Sequence, residues 1–257
     1  MPKPPQRKTE WKDQYTLLCE SCGYILEGLD QSLPCPECGK PITESLPERR
    51  TGTPWQQKRS IKSLLHTWWL TFWHPLKTLD IMQMNNSSSL EQVILPQCAI
   101  TITSLVIGAF TRRIFDGRES DRDMFIMVSI VFIGLIIFIQ VLVLIESLGL
   151  VLIARQRKIR VPREAALSIV NHGSVGWCIC LVSIVLIWLE HIFTSTFDLI
   201  PEDGVYDPTT MFFGLLIMAH AAMALGGFLF SEYFAYLGLR RCKYANTLPP
   251  QSPPPKP

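Results

Sequence analysis

Hydrophobic residues are distributed very unevenly along this chain. Residues 1–60 are largely polar, whereas most of the chain after residue 92 consists of long apolar runs separated by short polar loops. A helix needs about 20 apolar residues to cross a bilayer core of about 30 Å. The pattern therefore predicts an all-α polytopic membrane domain over residues 93–241 with four transmembrane helices. Their predicted ranges are about 93–110, 124–154, 175–193 and 211–239.

Residues 61–84 show a shorter, amphipathic pattern. Six apolar side chains recur at helical spacing along one face, namely Ile61, Leu64, Leu65, Trp68, Phe72 and Leu79. Pro75 interrupts this run, which is already too short to span a bilayer. We predict an interfacial amphipathic helix that lies in the membrane plane with its aromatic rings at headgroup depth. A helix packed against the membrane bundle explains the same pattern equally well.

Three segments are too polar or too rich in proline to build a core of their own. We predict that residues 1–15 are disordered, that residues 46–60 form a charged linker, and that residues 242–257 form a disordered tail. The tail ends in LPPQSPPPKP, which favours an extended polyproline conformation. A solvated tail of this kind needs no binding partner.

The positions of lysine and arginine indicate how the helices are oriented, because cytosolic loops are enriched in these residues. The loop between the second and third predicted spans carries five of them, and three more follow the fourth span. The loop between the third and fourth spans has none. We therefore predict a multi-pass protein of the cytoplasmic (inner) membrane with both termini in the cytosol. The loop at residues 111–123 argues against this topology, since it contains four arginines.

Two Cys-x-x-Cys pairs lie in the polar N-terminal region. Cys19 pairs with Cys22 and Cys35 with Cys38, and 12 residues separate the two pairs. Four thiolates at this spacing are typical of a tetrahedral zinc site, although rubredoxin-type iron sites use similar knuckles. We predict that residues 16–45 form a small β zinc ribbon around a structural Zn²⁺. Four cysteines fill the coordination shell, which leaves no position for a catalytic water.

Glycine follows each cysteine pair, at Gly23 and Gly39. The turn after a cysteine knuckle often requires a positive φ, which glycine adopts without a Cβ clash. We therefore predict a positive φ at both positions.

The predicted ribbon is acidic. Residues 15–45 contain five acidic side chains and one basic side chain, Lys40. Phosphate contacts dominate nucleic-acid affinity, so this charge argues against nucleic-acid binding. A protein partner, or a structural cap with no ligand, agrees better with the charge.

Amide and ionisable side chains are rare in the predicted spans, and each is a functional candidate because its desolvation is costly. The candidates are Gln140, His220, Glu146, Glu190 and Glu232. Gln140 and His220 lie near the middle of their spans, and we predict that they hydrogen-bond to each other rather than relay protons. The three glutamates lie nearer to span ends, where they reach headgroups, arginines or the interface. No known catalytic motif accompanies them.

The cysteine region contains the motif Cys-x-x-Cys-Gly-Tyr followed by Cys-Pro-Glu-Cys-Gly. It resembles the N-terminal zinc ribbon of a group of uncharacterised bacterial multi-pass membrane proteins. Trp73-His74-Pro75 before the spans and residues 172–177 at the third span resemble Yip1-type membrane domains, which usually have five spans. The resemblance implies that the four cysteines are metal ligands, and it brings no known activity.

Together these patterns predict a non-enzymatic integral membrane protein whose cytosolic zinc ribbon acts as a protein-interaction or regulatory module. The alternative is a small transporter or channel component that uses the polar intramembrane residues. The expected partners are the lipid bilayer and a protein that binds the ribbon. The net charge of +2 is near neutral and does not indicate a polyanionic partner.

Overall fold

The computed structural model describes residues 15–84, 94–106, 121–196 and 208–247. The helices within these residues are α1 (Pro54–Gln57), α2 (Ile61–Trp73), α3 (Pro75–Ile81), α4 (Ile94–Val106), α5 (Asp121–Gln156), α6 (Arg163–Gly173), α7 (Val175–Thr196) and α8 (Pro208–Arg241). Two short 3-10 turns, Ile42–Ser45 and Pro47–Arg49, precede them. Predictions for the remaining residues, including most of the loop at 111–123, lie outside the described part of the chain.

Three helical stretches are long and apolar enough to cross a membrane. They are Ser129–Gln156 in α5, Arg163–Thr194 across α6 and α7, and Met211–Arg241 in α8. They correspond to the second, third and fourth predicted spans. The described part of α4 is apolar but shorter than a span, so the first predicted span is represented only by this shorter helix.

The helices expose many large apolar side chains, and α4 also buries polar ones, which is unlike a water-soluble fold. On α4, Gln97, Thr101 and Ser104 are buried, while Ile102 and Val106 are each 61% exposed. A large exposed apolar surface is unfavourable in water but suits contact with lipid. This distribution of side chains agrees with the assignment of a membrane protein.

The described chain divides into two compact units. The second unit contains the residues of Leu90–Leu144 and Gly173–Tyr233 that the structure describes. Within it α7 and α8 approach closely at Gly176 and Gly227, where a Cβ on either residue would overlap the carbonyl oxygen of the other. The absence of side chains at these two glycines therefore allows the close packing of α7 against α8.

The first unit contains the N-terminal region together with Ile145–His172 and the chain from Phe234 onward. In place of the single helix predicted over residues 61–84, it has two helices, with α3 beginning at Pro75. Proline fits the first position of a helix, but in a helix interior its ring clashes with the backbone of the preceding turn. The first helix therefore ends before Pro75. The buried residues of α2 are Thr67, Leu70 and Thr71. The large apolar side chains on its exposed face are Ile61, Leu65, Trp69, Phe72 and Trp73.

Two segments predicted to lie outside any core are packed into the first unit. Within residues 46–60, the predicted linker, Trp55 is buried and its backbone N–H donates to Oγ1 of Thr67 at 2.9 Å. Residues 242–247, predicted as the start of the tail, are also packed, and Cys242 is fully buried. Both differences arise from contacts with distant parts of the chain, which local composition does not report.

The connection between α5 and α6 is short and well hydrogen-bonded. The N–H of Lys158 donates to the Arg155 carbonyl and the N–H of Ile159 to the Ala154 carbonyl, each at 3.0 Å. This is the Schellman pattern that ends many helices, with Lys158 in the left-handed region at a φ of 55°. α6 then begins at Arg163 and was not predicted as a separate helix.

Candidate metal centre

The four cysteines of the two knuckles come together in one cluster. All four sulfur atoms lie within 4.8 Å of one another. The Sγ atoms of Cys19 and Cys38 are 3.5 Å apart, and those of Cys22 and Cys35 are 3.7 Å apart. Zinc–sulfur bonds of about 2.3 Å in tetrahedral geometry place sulfurs about 3.8 Å apart, whereas a disulfide bond is about 2.05 Å long. The cluster therefore fits a tetrahedral metal ion and contains no disulfide.

The two knuckles have equivalent backbone hydrogen bonds. In the first, the N–H of Gly23 donates to the Cys19 carbonyl at 2.8 Å. In the second, the N–H of Gly39 donates to the Cys35 carbonyl at 2.9 Å. An isolated antiparallel bridge closes each turn, Leu18 with Ile25 and Pro34 with Pro41. Among the described residues these bridges are the only β pairing, and since they form no strand, a β ribbon is not shown.

The glycine after each knuckle has the predicted backbone conformation. φ is +79° at Gly23 and +72° at Gly39, which confirms the prediction for both residues. At Gly23 space is also restricted, because an added Cβ would lie 2.8 Å from ring atoms of Tyr244. A side chain at this position is therefore excluded by both the φ angle and the neighbouring ring.

The apolar core around the cysteines is small. Its buried members are Cys19, Leu26, Cys35 and Ile42. Two of these four residues are themselves candidate ligands, so few apolar side chains remain to stabilise this region without a metal ion. Burial raises the pKa of the Cys22 thiol above its ordinary range, and a coordinated cation reverses this effect because it stabilises the thiolate.

The first knuckle is bound to the end of the chain through Asn246, which is 3% exposed. The side-chain amide of Asn246 donates to the carbonyls of Leu18 and Ser45 at 2.7 and 2.6 Å. Its side-chain oxygen accepts the backbone N–H of Leu18 at 2.9 Å. Asn246 therefore pairs with both backbone groups of the residue that precedes Cys19, as a neighbouring strand would.

Arg160, in the loop between α5 and α6, binds the same region. Its guanidinium donates to the Thr16 carbonyl at 2.5 Å and to the side-chain oxygen of Asn246 at 2.7 Å. Arg160 is 6% exposed. It is one of the five bases that favoured a cytosolic position for this loop, but its charge is directed to protein carbonyls and not to lipid headgroups.

Arg50 makes a third connection, between the first knuckle and α3. It forms an ion pair with Glu20 at 2.9 Å, and its guanidinium also donates to the Leu79 carbonyl at 2.7 Å. Both side chains are largely buried, with exposures of 4% and 13%. Glu20 was counted as part of an acidic surface, but it belongs to this internal contact. The exposed acidic side chains of the module are Glu27, Asp30, Glu37 and Glu44.

The intramembrane candidates have partners different from those predicted. Gln140 donates to the side-chain oxygen of Gln97 at 2.7 Å, so the predicted hydrogen bond between Gln140 and His220 is wrong. Nδ1 of His220 instead lies 3.5 Å from a carboxylate oxygen of Glu190. Gln97 on α4 supplies the amide oxygen that Gln140 binds, and sequence spacing alone does not reveal which helices pair.

The other two glutamates occupy different environments. Glu146 is half-buried and lies in the first unit, whereas Glu232 on α8 is exposed. His172 on α6 is fully buried, with Nε2 3.3 Å from Oγ1 of Thr53. None of these side chains adds a ligand to the cysteine cluster.

Sequence reasoning found the four cysteines but missed Arg50, Arg160 and Asn246, which connect their module to the rest of the first unit. These residues carry no motif, and their partners lie up to 228 positions away. No protein-family model, curated protein or solved structure matches the chain. Its function must therefore be inferred from the geometry of the cysteine cluster and of the contacts around it.

Proposed function

We propose that this chain is a non-enzymatic integral protein of the cytoplasmic membrane whose cysteine module binds structural Zn²⁺ on the cytosolic side. In this proposal the zinc module is a clamp that holds together the loop between α5 and α6 and the end of α8. The observation that carries the proposal is the set of hydrogen bonds from Asn246 and Arg160 to residues flanking Cys19.

The same contacts support a topology of four spans. Thr16 is bonded directly to Arg160, so both lie on one side of the membrane and an even number of crossings separates them. α5 supplies one crossing, and α4 is the remaining apolar helix between these residues. α7 and α8 then supply two crossings between Arg160 and Asn246, which is also bonded to the module. The bases that follow α8 favour the cytosol for this side.

The exposed aromatic face of α2 supports an interfacial position for that helix. Trp69 and Trp73 are 54% and 63% exposed, and the helix belongs to the same unit as the zinc module. Tryptophan is enriched at headgroup depth, where its ring is in contact with acyl chains and its N–H with water. We therefore propose that this face of α2 lies in the cytosolic interface of the bilayer.

The second knuckle is the surface that we propose for a protein partner. The first knuckle is occupied by contacts within the chain, whereas residues 36–41 are exposed and Leu33 is 54% exposed. The exposed acidic side chains nearby disfavour nucleic acid and suit a partner with basic residues.

Metal analysis of the purified full-length protein tests the zinc assignment. We expect one zinc per chain, complete loss of zinc in Cys35→Ser, and full retention in the control Cys98→Ser, since Cys98 lies on α4. A red, iron-containing protein, or zinc retained by Cys35→Ser, would contradict the assignment.

Reporter fusions test the topology. A reporter fused after Asp121 is expected on the exoplasmic side, and one fused after Pro257 in the cytosol. A cytosolic reporter at the first position refutes four spans. Partner capture is tested separately with Leu33→Glu, which should keep its zinc but lose any partner that binds the second knuckle.

A further inference from the structure

The interior of the second unit contains an ionisable pair that the proposed zinc clamp does not use. Glu190 on α7 is 9% exposed, and one of its carboxylate oxygens lies 3.5 Å from Nδ1 of His220 on α8. In the described part of the chain neither carboxylate oxygen, nor this ring nitrogen, has a hydrogen-bond partner. Two groups that bind protons thus face each other with their polar atoms unsatisfied.

The surroundings supply no other charge to neutralise the carboxylate. Among the described side chains of the second unit there is no lysine or arginine. On α4 and α5 the side chains that the structure describes in this unit, residues 94–106 and 129–144, include no acidic, basic or histidine group. In the parts of α7 and α8 that belong to the second unit, the remaining charged or histidine side chains that the structure describes are His191 and Glu232, and both are exposed. Arg240 and Arg241, at the end of α8, belong to the first unit. Other titratable groups in the described part of the unit are Tyr233 and the thiols of Cys98, Cys178 and Cys180.

Gln140 and Gln97, a second polar pair in the same unit, form a hydrogen bond and so differ from Glu190 and His220. The side chains of Gln140 and Gln97 meet at 2.7 Å, which is a short hydrogen bond. A carboxylate and an imidazolium that served only to stabilise the fold would be expected at about 2.7–2.9 Å. Nδ1 of His220 and the nearest carboxylate oxygen of Glu190 are 3.5 Å apart, which is longer than such a contact. The carboxylate oxygens and this ring nitrogen therefore keep lone pairs that can accept a proton.

We propose that Glu190 and His220 form an exchangeable proton-binding site within the membrane. The pair is neutral when it holds one proton, either on the carboxylate or on the imidazole. Loss of this proton leaves a net negative charge and gain of a second leaves a net positive charge, and both are costly in a low-dielectric interior. Each partner therefore sets the proton affinity of the other. The pair shares no residue with the cysteine module.

Infrared difference spectroscopy of the full-length protein in lipid nanodiscs tests this site. Spectra recorded during a pH titration should contain a carboxylic-acid C=O band that shifts in D₂O and disappears in Glu190→Gln. In His220→Gln the midpoint of this band should move by about one pH unit or more, a tenfold change in proton affinity. The matched controls Glu232→Gln and His191→Gln should leave both band and midpoint unchanged.

The proposal is overturned if the Glu190→Gln spectrum matches that of the wild type, or if the Glu190 band does not respond to pH. A midpoint unaffected by His220→Gln also overturns it, because the two groups would then titrate independently. If Glu190→Gln does not fold, wild-type protein labelled with ¹³C at the glutamate carboxyl groups provides the same assignment. The band must then shift with the label and keep its dependence on His220.

Discussion

The substitution Asn246→Ala tests whether the proposed zinc module and the segment that follows α8 are energetically linked. Four hydrogen bonds of the Asn246 side chain are lost, two to Leu18 and one each to Ser45 and Arg160. A buried hydrogen bond contributes about 1 kcal/mol, and partners left unsatisfied raise the cost. Water replaces some of these bonds at the surface of the module, so we expect a loss of about 2–4 kcal/mol.

This loss should appear in zinc affinity, because the docked conformation is the one that holds Cys19 in place. A loss of about 2–4 kcal/mol corresponds to about 30- to 1000-fold weaker zinc binding. Competition with a chromophoric chelator, carried out on the full-length protein in detergent, measures this quantity. Lys243→Ala, three residues earlier in the same segment, is the control and should keep the wild-type affinity. Unchanged zinc affinity in a folded Asn246→Ala protein would show that docking and metal binding are independent.

Three further predictions concern the same unit. Gly23→Ala should lower the melting temperature more than Gly28→Ala, because both residues have a φ of +79° but only Gly23 meets the Tyr244 ring; equal losses would exclude a role for the ring. Burial raises the pKa of Cys242 from 9.0 to about 12, so the native thiol should resist maleimide at pH 8, and stability should fall between pH 9 and 12, where only the unfolded thiol is ionised. Rapid maleimide labelling of Cys242 at pH 8, detected by mass spectrometry, would contradict the expected resistance. Arg50→Lys keeps the charge but loses the planar fork, and we expect a loss of about 1–2 kcal/mol in thermal unfolding; an unchanged melting temperature would show that charge alone suffices.

The features that sequence predicted are those that depend on local chemistry. The spacing of the four cysteines within residues 19–38 predicts a cluster that can hold a metal ion, and the glycines after each pair follow from the turn that the knuckle requires. Long apolar runs likewise identify the helices, since the bilayer imposes their length. These predictions need only neighbouring residues or composition.

The features that sequence did not predict depend on which distant segments meet. Asn246 and Arg160 belong to a predicted tail and a predicted basic loop, yet each donates to backbone carbonyls near the N-terminus. The partners of Gln140 and His220 were also misassigned, because helical spacing gives the depth of a side chain but not the helix it faces. A single sequence contains no signal for such pairings.

The contact between Leu18 and Asn246 also has a consequence for the order of synthesis. The two residues are 228 positions apart, and ribosomes add about 5–20 residues per second, so about 10–45 s pass between their appearances. During this interval the cysteine knuckles have emerged but the segment that docks against them has not been made. The four cysteines are therefore available to a metal ion before their docking segment exists, and docking of the segment after α8 follows only when translation is nearly finished.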